Sequence, residues 1–246
     1  MNIDYDHSKA RHPLSVPRAA LPQIFLEAAP NSLLDVGCGI GTWLKTAQEL
    51  GVSEVFGVDG VAIPTEQLLI SPSLFRQHDL TCPLNLGSKF DAILCFEVAE
   101  HLDEQFAPTL IHSLVAHADT VFFSAACPGQ DGQHHVNCQW PGYWQGIFNE
   151  CGYACTDEMR WRIWADERID PWYRQNLFTA RRQPERAGHE PRIAPVIHPG
   201  NLPTLVDGPF PDFVRRVEAG GKPMRWYAKG LFKAMLGKLG GQPPGK

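Results

Sequence analysis

Residues 33–43 read LLDVGCGIGTW, a short apolar run followed by three glycines at alternate positions. The run at 33–36 is typical of a buried strand in a parallel sheet, and the pattern from Thr42 onward is helical. Glycines at such spacing allow a turn of positive φ without side chains, so that a ligand can lie against bare backbone. The stretch therefore predicts a strand, a nucleoside-binding turn and a helix. The glycines of this turn are Gly37, Gly39 and Gly41.

The residues around this turn favour a cationic nucleoside over a dinucleotide. The spacing is G-x-G-x-G, and Thr42 stands where the dinucleotide fingerprint G-x-G-x-x-G has its third glycine. Asp35 comes two residues before the first glycine, and its carboxylate would repel a pyrophosphate. A sulfonium nucleoside fits these residues better than NAD.

Composition sets broad bounds on the protein. The chain has 246 residues, of which 43% are hydrophobic and 20% charged, as expected for one well-packed domain with an extension. The net charge of -5 argues against attraction of the whole protein to nucleic acid, so a small-molecule substrate is the default expectation. Seven cysteines without a C-x-x-C pair predict reduced thiols. Without a signal-type or membrane-spanning apolar run, we expect a cytoplasmic protein.

Strand-like and helical patterns alternate along the first half of the chain, which predicts a doubly wound, mostly parallel α/β sheet. Two later strand-like runs are joined by a connection too short for a crossover helix, so we expect that pair to be antiparallel. The predicted strands cover 33–36, 54–59, 74–79, 90–96, 120–126, 159–164 and 176–181. The predicted helices cover 42–50, 104–118 and a segment that begins near Pro141.

The composition changes near residue 183, where prolines and glycines become frequent. From residue 212 the chain carries eight Lys or Arg against two acidic residues, interleaved with apolar side chains. This basic tail predicts a helix docked on the domain, or a weak contact with an anionic membrane surface or a partner protein. We predict an N-terminal arm at 1–19, a catalytic domain at 20–182, a linker at 183–211 and the basic tail at 212–246.

Two aspartates follow predicted strands and are candidate ligands for the nucleoside. Asp59, 24 residues after Asp35, ends the second strand, where its carboxylate could accept bonds from both ribose hydroxyls. Its alternative role is that of a turn residue, since Asp-Gly is a common turn pair. Asp79 ends the third strand and could take the adenine amino group, or cap a turn.

The buried strand in FDAILCFEVAEHL, residues 90–102, runs directly into three polar groups. If Glu97 begins a helical turn, Glu100 and His101 lie on the same face of it. Such a cluster could bind a divalent metal, supply a general base or form a structural network. His135, in the loop after the fifth strand, should reach the same edge of the sheet and strengthens the metal interpretation.

Taken together, DVGCGIGTW, VFGVDG, HDLTCPL and FDAILCFEVAEHL resemble the class I S-adenosylmethionine-dependent methyltransferases over about residues 20–182. The resemblance implies a seven-stranded Rossmann-like methyltransferase fold, with the nucleoside over the ends of the first two strands. It also implies S-adenosylmethionine as the cofactor. The cofactor-binding residues that it implies are Asp35, Gly37, Cys38, Gly39, Gly41, Asp59, Asp79, Leu80 and Glu97.

The E-x-x-E-H string also resembles the metal-binding string of ubiquinone-pathway O-methyltransferases and of small-RNA 3′-end 2′-O-methyltransferases. This second resemblance implies a divalent metal such as Mg²⁺. The implied ligands are Glu97, Glu100, His101 and His135. The acidic chain carries no recognisable RNA-binding module, so an RNA substrate is not expected.

The resemblance implies methyl transfer to a small molecule or glycan. The histidines favour a hydroxyl as the acceptor, with His101 or His135 taking its proton or a metal lowering its pKa. The alternatives are an NAD-linked oxidoreductase and a nucleoside-binding scaffold protein without turnover. Aromatic residues would supply a partly apolar wall for the acceptor, although most aromatics at such spacing belong to a core. They are Trp140, Tyr143, Trp144, Trp164, Trp172 and Tyr173.

Overall fold

The computed structural model describes residues 13–26 and 29–201. The strands are β1 (Ser32–Val36), β2 (Glu54–Asp59), β3 (Phe75–Gln77), β4 (Ala92–Phe96), β5 (Thr120–Ser124), β6 (Tyr153–Thr156) and β7 (Phe178–Arg182). The α-helices are α1 (Ser15–Ile24), α2 (Thr42–Glu49), α3 (Ala107–His117), α4 (Pro141–Glu150), α5 (Glu158–Ile163) and α6 (Pro171–Asn176). The predicted basic tail at 212–246 lies outside the described residues.

The seven strands form one sheet in the order β3-β2-β1-β4-β5-β7-β6. The first five are parallel, and β7 runs antiparallel to both of its neighbours, β5 and β6. The predicted doubly wound, mostly parallel sheet of Rossmann-like type is therefore confirmed. The last two strands, β6 and β7, are antiparallel as expected, but the predicted partner of the last strand, 159–164, is not one of them.

Apolar side chains cover both faces of the sheet, as the continuous apolar runs of its central strands require. Ile93 and Leu94 are adjacent in β4 but belong to two different clusters of buried residues, because side chains alternate across a strand. Leu114 of α3 and Phe148 of α4 pack in the cluster of Ile93. Helices α1, α2 and α5 contribute to the cluster of Leu94.

The prediction of a strand at 159–164 is wrong, because this segment forms α5. The sequence pattern is typical of a strand, because the apolar residues Met159, Trp161 and Ile163 alternate with arginines. In the structure Met159 and Ile163 are buried one helical turn apart, whereas Trp161 is 50% exposed. The strand of the sheet is instead the short β6, which directly follows α4 and Gly152.

Residues 190–193 of the predicted linker pack against α4 and β6. The Glu190 carboxylate accepts hydrogen bonds from Gln145 Nε2 (3.0 Å), Asn149 Nδ2 (2.6 Å) and the Cys155 amide (3.1 Å). Ile193 joins the buried cluster between the sheet and α4. Residues 190–193 thus extend the core beyond β7, while the domain boundaries as a whole stay a prediction.

All seven cysteines lie in the described ranges and are free. None of the helices that the structure describes is long and apolar enough to cross a membrane.

Candidate active site

A cavity of about 500 Å³ opens at the carboxyl ends of the central strands. The chain leaves β1 toward β2 and β3 on one side and returns with β4 on the other, so this edge is a topological switch point. Open α/β sheets bind their ligands at such points. Residues that line it from the ends of β1, β2 and β4 include Asp35, Gly37, Asp59, Glu97, Glu100 and His101.

The glycine turn has the predicted backbone conformation. Gly37, Gly39 and Gly41 have φ values of 84°, 51° and 85°, in the left-handed region that L side chains rarely adopt. A Cβ atom on Gly37 would lie 2.2 Å from Cγ2 of Val98. Cys38 is buried between this turn and β2, and its amide donates to the Val58 carbonyl at 3.1 Å. The turn therefore presents backbone to the cavity because side chains do not fit there.

Asp59 is held at the cavity wall by two backbone amides. Its Oδ2 accepts from the Gly39 amide at 2.7 Å, and its Oδ1 accepts from the Val61 amide at 2.8 Å. Each carboxylate oxygen has a second lone pair. The side chain is thus oriented at the end of β2, at the wall of the cavity.

Asp35 lies under the glycine turn and is buried. Its Oδ2 has no hydrogen-bond partner among the described residues. Burial, and secondly the negative charge of Asp59, raise the pKa of Asp35 well above its ordinary value. A cationic group in the cavity would stabilise its ionised form.

The structure separates the two residues predicted at the adenine position. Leu80 is buried and is one of the described residues that line the cavity, whereas Asp79 is not among those lining residues. The Asp79 Oδ1 accepts from the amide and the hydroxyl of Thr81 at 3.0 and 2.7 Å. Its observed contacts match the turn-capping alternative, and an adenine role stays a prediction.

Glu97 does not begin a helical turn, so that premise of the sequence analysis is wrong. Its φ is 53°, and the 3₁₀ turn starts two residues later at Ala99. The left-handed conformation directs the Glu97 carboxylate to two amide side chains. Oε2 accepts from Gln130 Nε2 at 2.7 Å, and Oε1 accepts from Asn176 Nδ2 at 3.4 Å.

Three of the four predicted metal ligands converge. Potential ligand atoms of Glu100, His101 and His135 all lie within 4.8 Å of one another, and Glu97 is outside this group. Glu100 is fully buried, and neither of its carboxylate oxygens has a hydrogen-bond partner among the residues described. The His135 Nε2 lies 4.0 Å from Glu100 Oε1. We call this group the Glu-His-His cluster.

The electrostatics of this cluster keep its imidazoles neutral near pH 7. Burial and the neighbouring His135 lower the pKa of His101 to about 4, and burial lowers the pKa of His135. Burial and the neighbouring Glu97 raise the pKa of Glu100 well above its ordinary range. Neutral imidazoles can accept a proton or coordinate a metal.

We expect the His101 pKa to make the metal-free protein less stable in acid. Between about pH 6.5 and pH 4 the unfolded chain binds a proton at this imidazole and the folded chain does not, so the stability falls as the pH falls. Urea denaturation in the presence of a chelator, from pH 7 to pH 4.5, should show a smaller loss of stability for His101→Asn. The exposed His112→Asn on α3 is the control, and equal slopes for both variants would contradict the assignment.

His135 is placed by the adjoining loop. A Cβ atom on Gly132 would lie 2.1 Å from His135 Nε2. The Val136 and Asn137 amides donate to the Glu100 carbonyl at 2.9 and 3.0 Å, which ties the loop to the 3₁₀ turn.

Gly132→Ala should therefore displace the imidazole of His135. We expect turnover to fall by about 100-fold, because a catalytic group misplaced by about 1 Å typically costs that much. Gly146→Ala is the matched control, since nothing lies within 4 Å of a Cβ atom there and alanine stabilises a helix by about 1 kcal/mol. Steady-state kinetics of the two variants would check this. Equal turnover in both would show that the position of His135 is unimportant.

The aromatic wall differs from the predicted one. Trp43, Phe96 and Tyr173 form a cluster with ring centroids 4.8 to 6.0 Å apart, and all three line the cavity. Of the six predicted aromatics, Trp172 and Tyr173 line it, whereas Trp144 is buried in the core. Trp43 and Phe96 are not among the predicted aromatic residues, although Trp43 ends the stretch 33–43 and Phe96 ends β4.

Comparisons with known proteins agree with this fold. A family model described as "Methyltransferase domain" matches residues 7–170, more than half of the chain. The search of curated proteins found no match.

Solved structures with a similar fold have low sequence identity to this chain. DesVI of Streptomyces venezuelae is 14% identical over 72% of this chain and 98% of its own, with a TM-score of 0.50. CalS10, an amino pentose methyltransferase from Micromonospora echinaspora, is 18% identical over 72% and 91%, with a TM-score of 0.47. The match to the magnesium protoporphyrin IX methyltransferase of Synechocystis PCC 6803 is 20% identical, with a TM-score of 0.41, and covers 50% of this chain and 64% of that one.

The family match, the sheet order and the glycine turn at its switch point agree with one another. The chain belongs to the class I S-adenosylmethionine-dependent methyltransferase family.

Proposed function

We propose that this protein transfers a methyl group from S-adenosylmethionine to a hydroxyl of a small molecule or glycan. One observation carries the proposal: a single cavity joins the glycine turn and Asp59 to His101 and His135. The glycine turn and Asp59 suit a nucleoside, and the two histidines suit removal of a proton. The family match favours methyl transfer over the NAD-linked alternative.

The cofactor side of the cavity fits a sulfonium nucleoside. Asp59 is oriented by the amides of Gly39 and Val61 to accept the ribose hydroxyls. The buried Asp35 carboxyl, whose Oδ2 has no hydrogen-bond partner among the described residues, would ionise in the presence of a cationic nucleoside. S-adenosylmethionine, when bound, supplies an electrophilic methyl group on a cationic sulfur.

On the acceptor side, the chain would align the nucleophile and take its proton. Either neutral imidazole, that of His101 or that of His135, can accept the proton of an acceptor hydroxyl. No covalent enzyme intermediate is needed, because methyl transfer is an in-line displacement. Alignment of the two reactants in a closed cavity supplies much of the acceleration.

The Glu-His-His cluster fits a divalent cation, and its two imidazole nitrogens suit a transition-metal ion better than Mg²⁺. Both buried oxygens of Glu100 lack hydrogen-bond partners among the described residues. Glu100, His101 and His135 would hold the ion, which would lower the pKa of a coordinated hydroxyl. Glu97, fixed by Gln130 and Asn176, would stand beside this site as a neighbouring negative charge.

The proposal is tested in two steps. Calorimetry with S-adenosylhomocysteine should give saturable binding with one site per chain. Methyl-labelled S-adenosylmethionine, incubated with the protein and a fractionated extract of its native cell, should then yield a labelled O-methyl product. Absence of saturable binding would reject the proposed function. Binding with no product from any extract fraction would support the scaffold alternative instead.

A further inference from the structure

The described wall of the cavity is rich in carboxyl groups. Its lining residues include six of them and neither lysine nor arginine. An acceptor that carries a carboxylate or phosphate would meet repulsion here, whereas a cation would be attracted. The acidic residues are Asp35, Asp59, Glu97, Glu100, Asp131 and Asp170.

Two of these carboxylates border the aromatic cluster. Glu97 directly follows Phe96, and Asp170 stands three residues before Tyr173 at the start of α6; all four residues line the cavity. Asp170 lies at the start of α6, half-buried, and has no hydrogen bond or ion pair to its side chain among the described residues. Burial raises the pKa of Asp170, and the nearby Arg174 offsets part of that rise. The Arg174 Nη1 donates to the Trp164 carbonyl at 3.2 Å.

This combination of groups selects a particular kind of cation. Aromatic faces attract organic ammonium groups, and a carboxylate at the rim adds a direct charge pair. A small divalent ion instead prefers oxygen ligands and keeps its water, which aromatic rings cannot replace. A metal ion has a separate candidate site in the Glu-His-His cluster, where both oxygens of the fully buried Glu100 lack hydrogen-bond partners among the described residues.

We propose that the methyl acceptor carries a protonated amine, which packs against Trp43, Phe96 and Tyr173 and pairs with Asp170 and Glu97. The amine is a recognition group, distinct from the hydroxyl that is methylated. This inference rests on the proposed function, since it assigns the acceptor to the part of the cavity that the nucleoside leaves open. It makes Asp170 a specificity-determining residue.

The test uses three single-ring probes of similar size and different charge: benzylamine, benzyl alcohol and benzoate. The full-length protein is first saturated with S-adenosylhomocysteine, and binding of each probe is followed by tryptophan fluorescence and calorimetry. Benzylamine should bind about tenfold more tightly than benzyl alcohol, and benzoate should show no saturable binding. Asp170→Asn should weaken benzylamine binding by about fivefold, the effect of a partly exposed ion pair, and leave benzyl alcohol unchanged.

Glu167→Gln is the matched control, because it removes an exposed carboxylate three residues away that does not line the cavity. Equal affinity for the three probes, with S-adenosylhomocysteine bound, would overturn the amine proposal and leave the proposed function standing. Weaker S-adenosylhomocysteine binding in Asp170→Asn would also overturn it, since Asp170 would then serve the ammonium group of the cofactor. Failure of the wild-type protein to bind S-adenosylhomocysteine would reject the proposed function and this inference together.

Discussion

Replacing Asp59 with alanine is expected to weaken S-adenosylhomocysteine binding by about 100-fold or more. Hydrogen bonds to a charged group contribute about 1.5–3 kcal/mol each, and the proposed contact to the ribose diol has two of them. The variant also leaves the Gly39 amide without the acceptor that it has at 2.7 Å, so the turn loses its support. Calorimetric titration of the purified variant measures the effect.

Asp91→Ala is the matched control for loss of stability. Asp91 likewise accepts from two backbone amides, those of Asn31 (2.8 Å) and Ser32 (3.1 Å), but at the opposite end of β1. Both variants should lower the melting temperature, and Asp91→Ala should keep the wild-type affinity for S-adenosylhomocysteine. If Asp59→Ala binds S-adenosylhomocysteine as tightly as Asp91→Ala does, Asp59 supports the turn and does not bind the ribose.

Replacing Glu100 with glutamine should change stability and activity in opposite directions. The substitution removes a buried carboxyl group whose oxygens have no hydrogen-bond partner among the described residues, so the metal-free variant should melt at a higher temperature than the wild type. If a divalent ion assists the reaction, loss of this ligand should lower turnover by about 100-fold, since metal polarisation contributes several kcal/mol. Thermal melts and steady-state kinetics measure the two effects separately.

The metal itself is tested without reference to turnover. Calorimetric titration with MgCl₂ or MnCl₂ should detect one site in the wild type and none in Glu100→Gln, while S-adenosylhomocysteine binding stays normal in both. Glu104→Gln, an exposed carboxylate in the next turn, should behave as wild type. Unchanged turnover after thorough chelation would reject metal assistance and leave His101 and His135 as the candidate bases.

The sequence predicts the central sheet well, because its strands are apolar on both faces and end in recognisable turns. β2 occupies the predicted residues 54–59, and β1, β4 and β5 differ from the prediction by at most two residues at either end. The glycine turn is equally predictable, since L side chains rarely adopt those φ values and a Cβ atom on Gly37 would clash with Val98. Asp35 and Asp59 reach the cavity because the ends of parallel strands share one edge.

The errors arise where local pattern and tertiary environment disagree. Apolar and charged residues alternate in α5 as they would in a strand. In the structure, however, Arg160 is buried and donates hydrogen bonds to the Gln175 and Ala194 carbonyls, while Trp161 faces solvent. The predicted helical turn at Glu97 is wrong because this residue has a left-handed backbone. Its carboxylate accepts hydrogen bonds from Gln130 and Asn176, which are 33 and 79 residues away in the sequence. Such distant partners cannot be read from a short motif.

The place of β7 between β5 and β6 has a consequence for biosynthesis. Until residues 178–182 leave the ribosome, β5 has an open edge and β6 has no neighbour in the sheet. The nascent chain must keep this apolar edge from pairing with other chains until the last strand inserts. A premature stop before residue 178 would therefore do more than shorten the protein: it would leave a permanent template for aggregation.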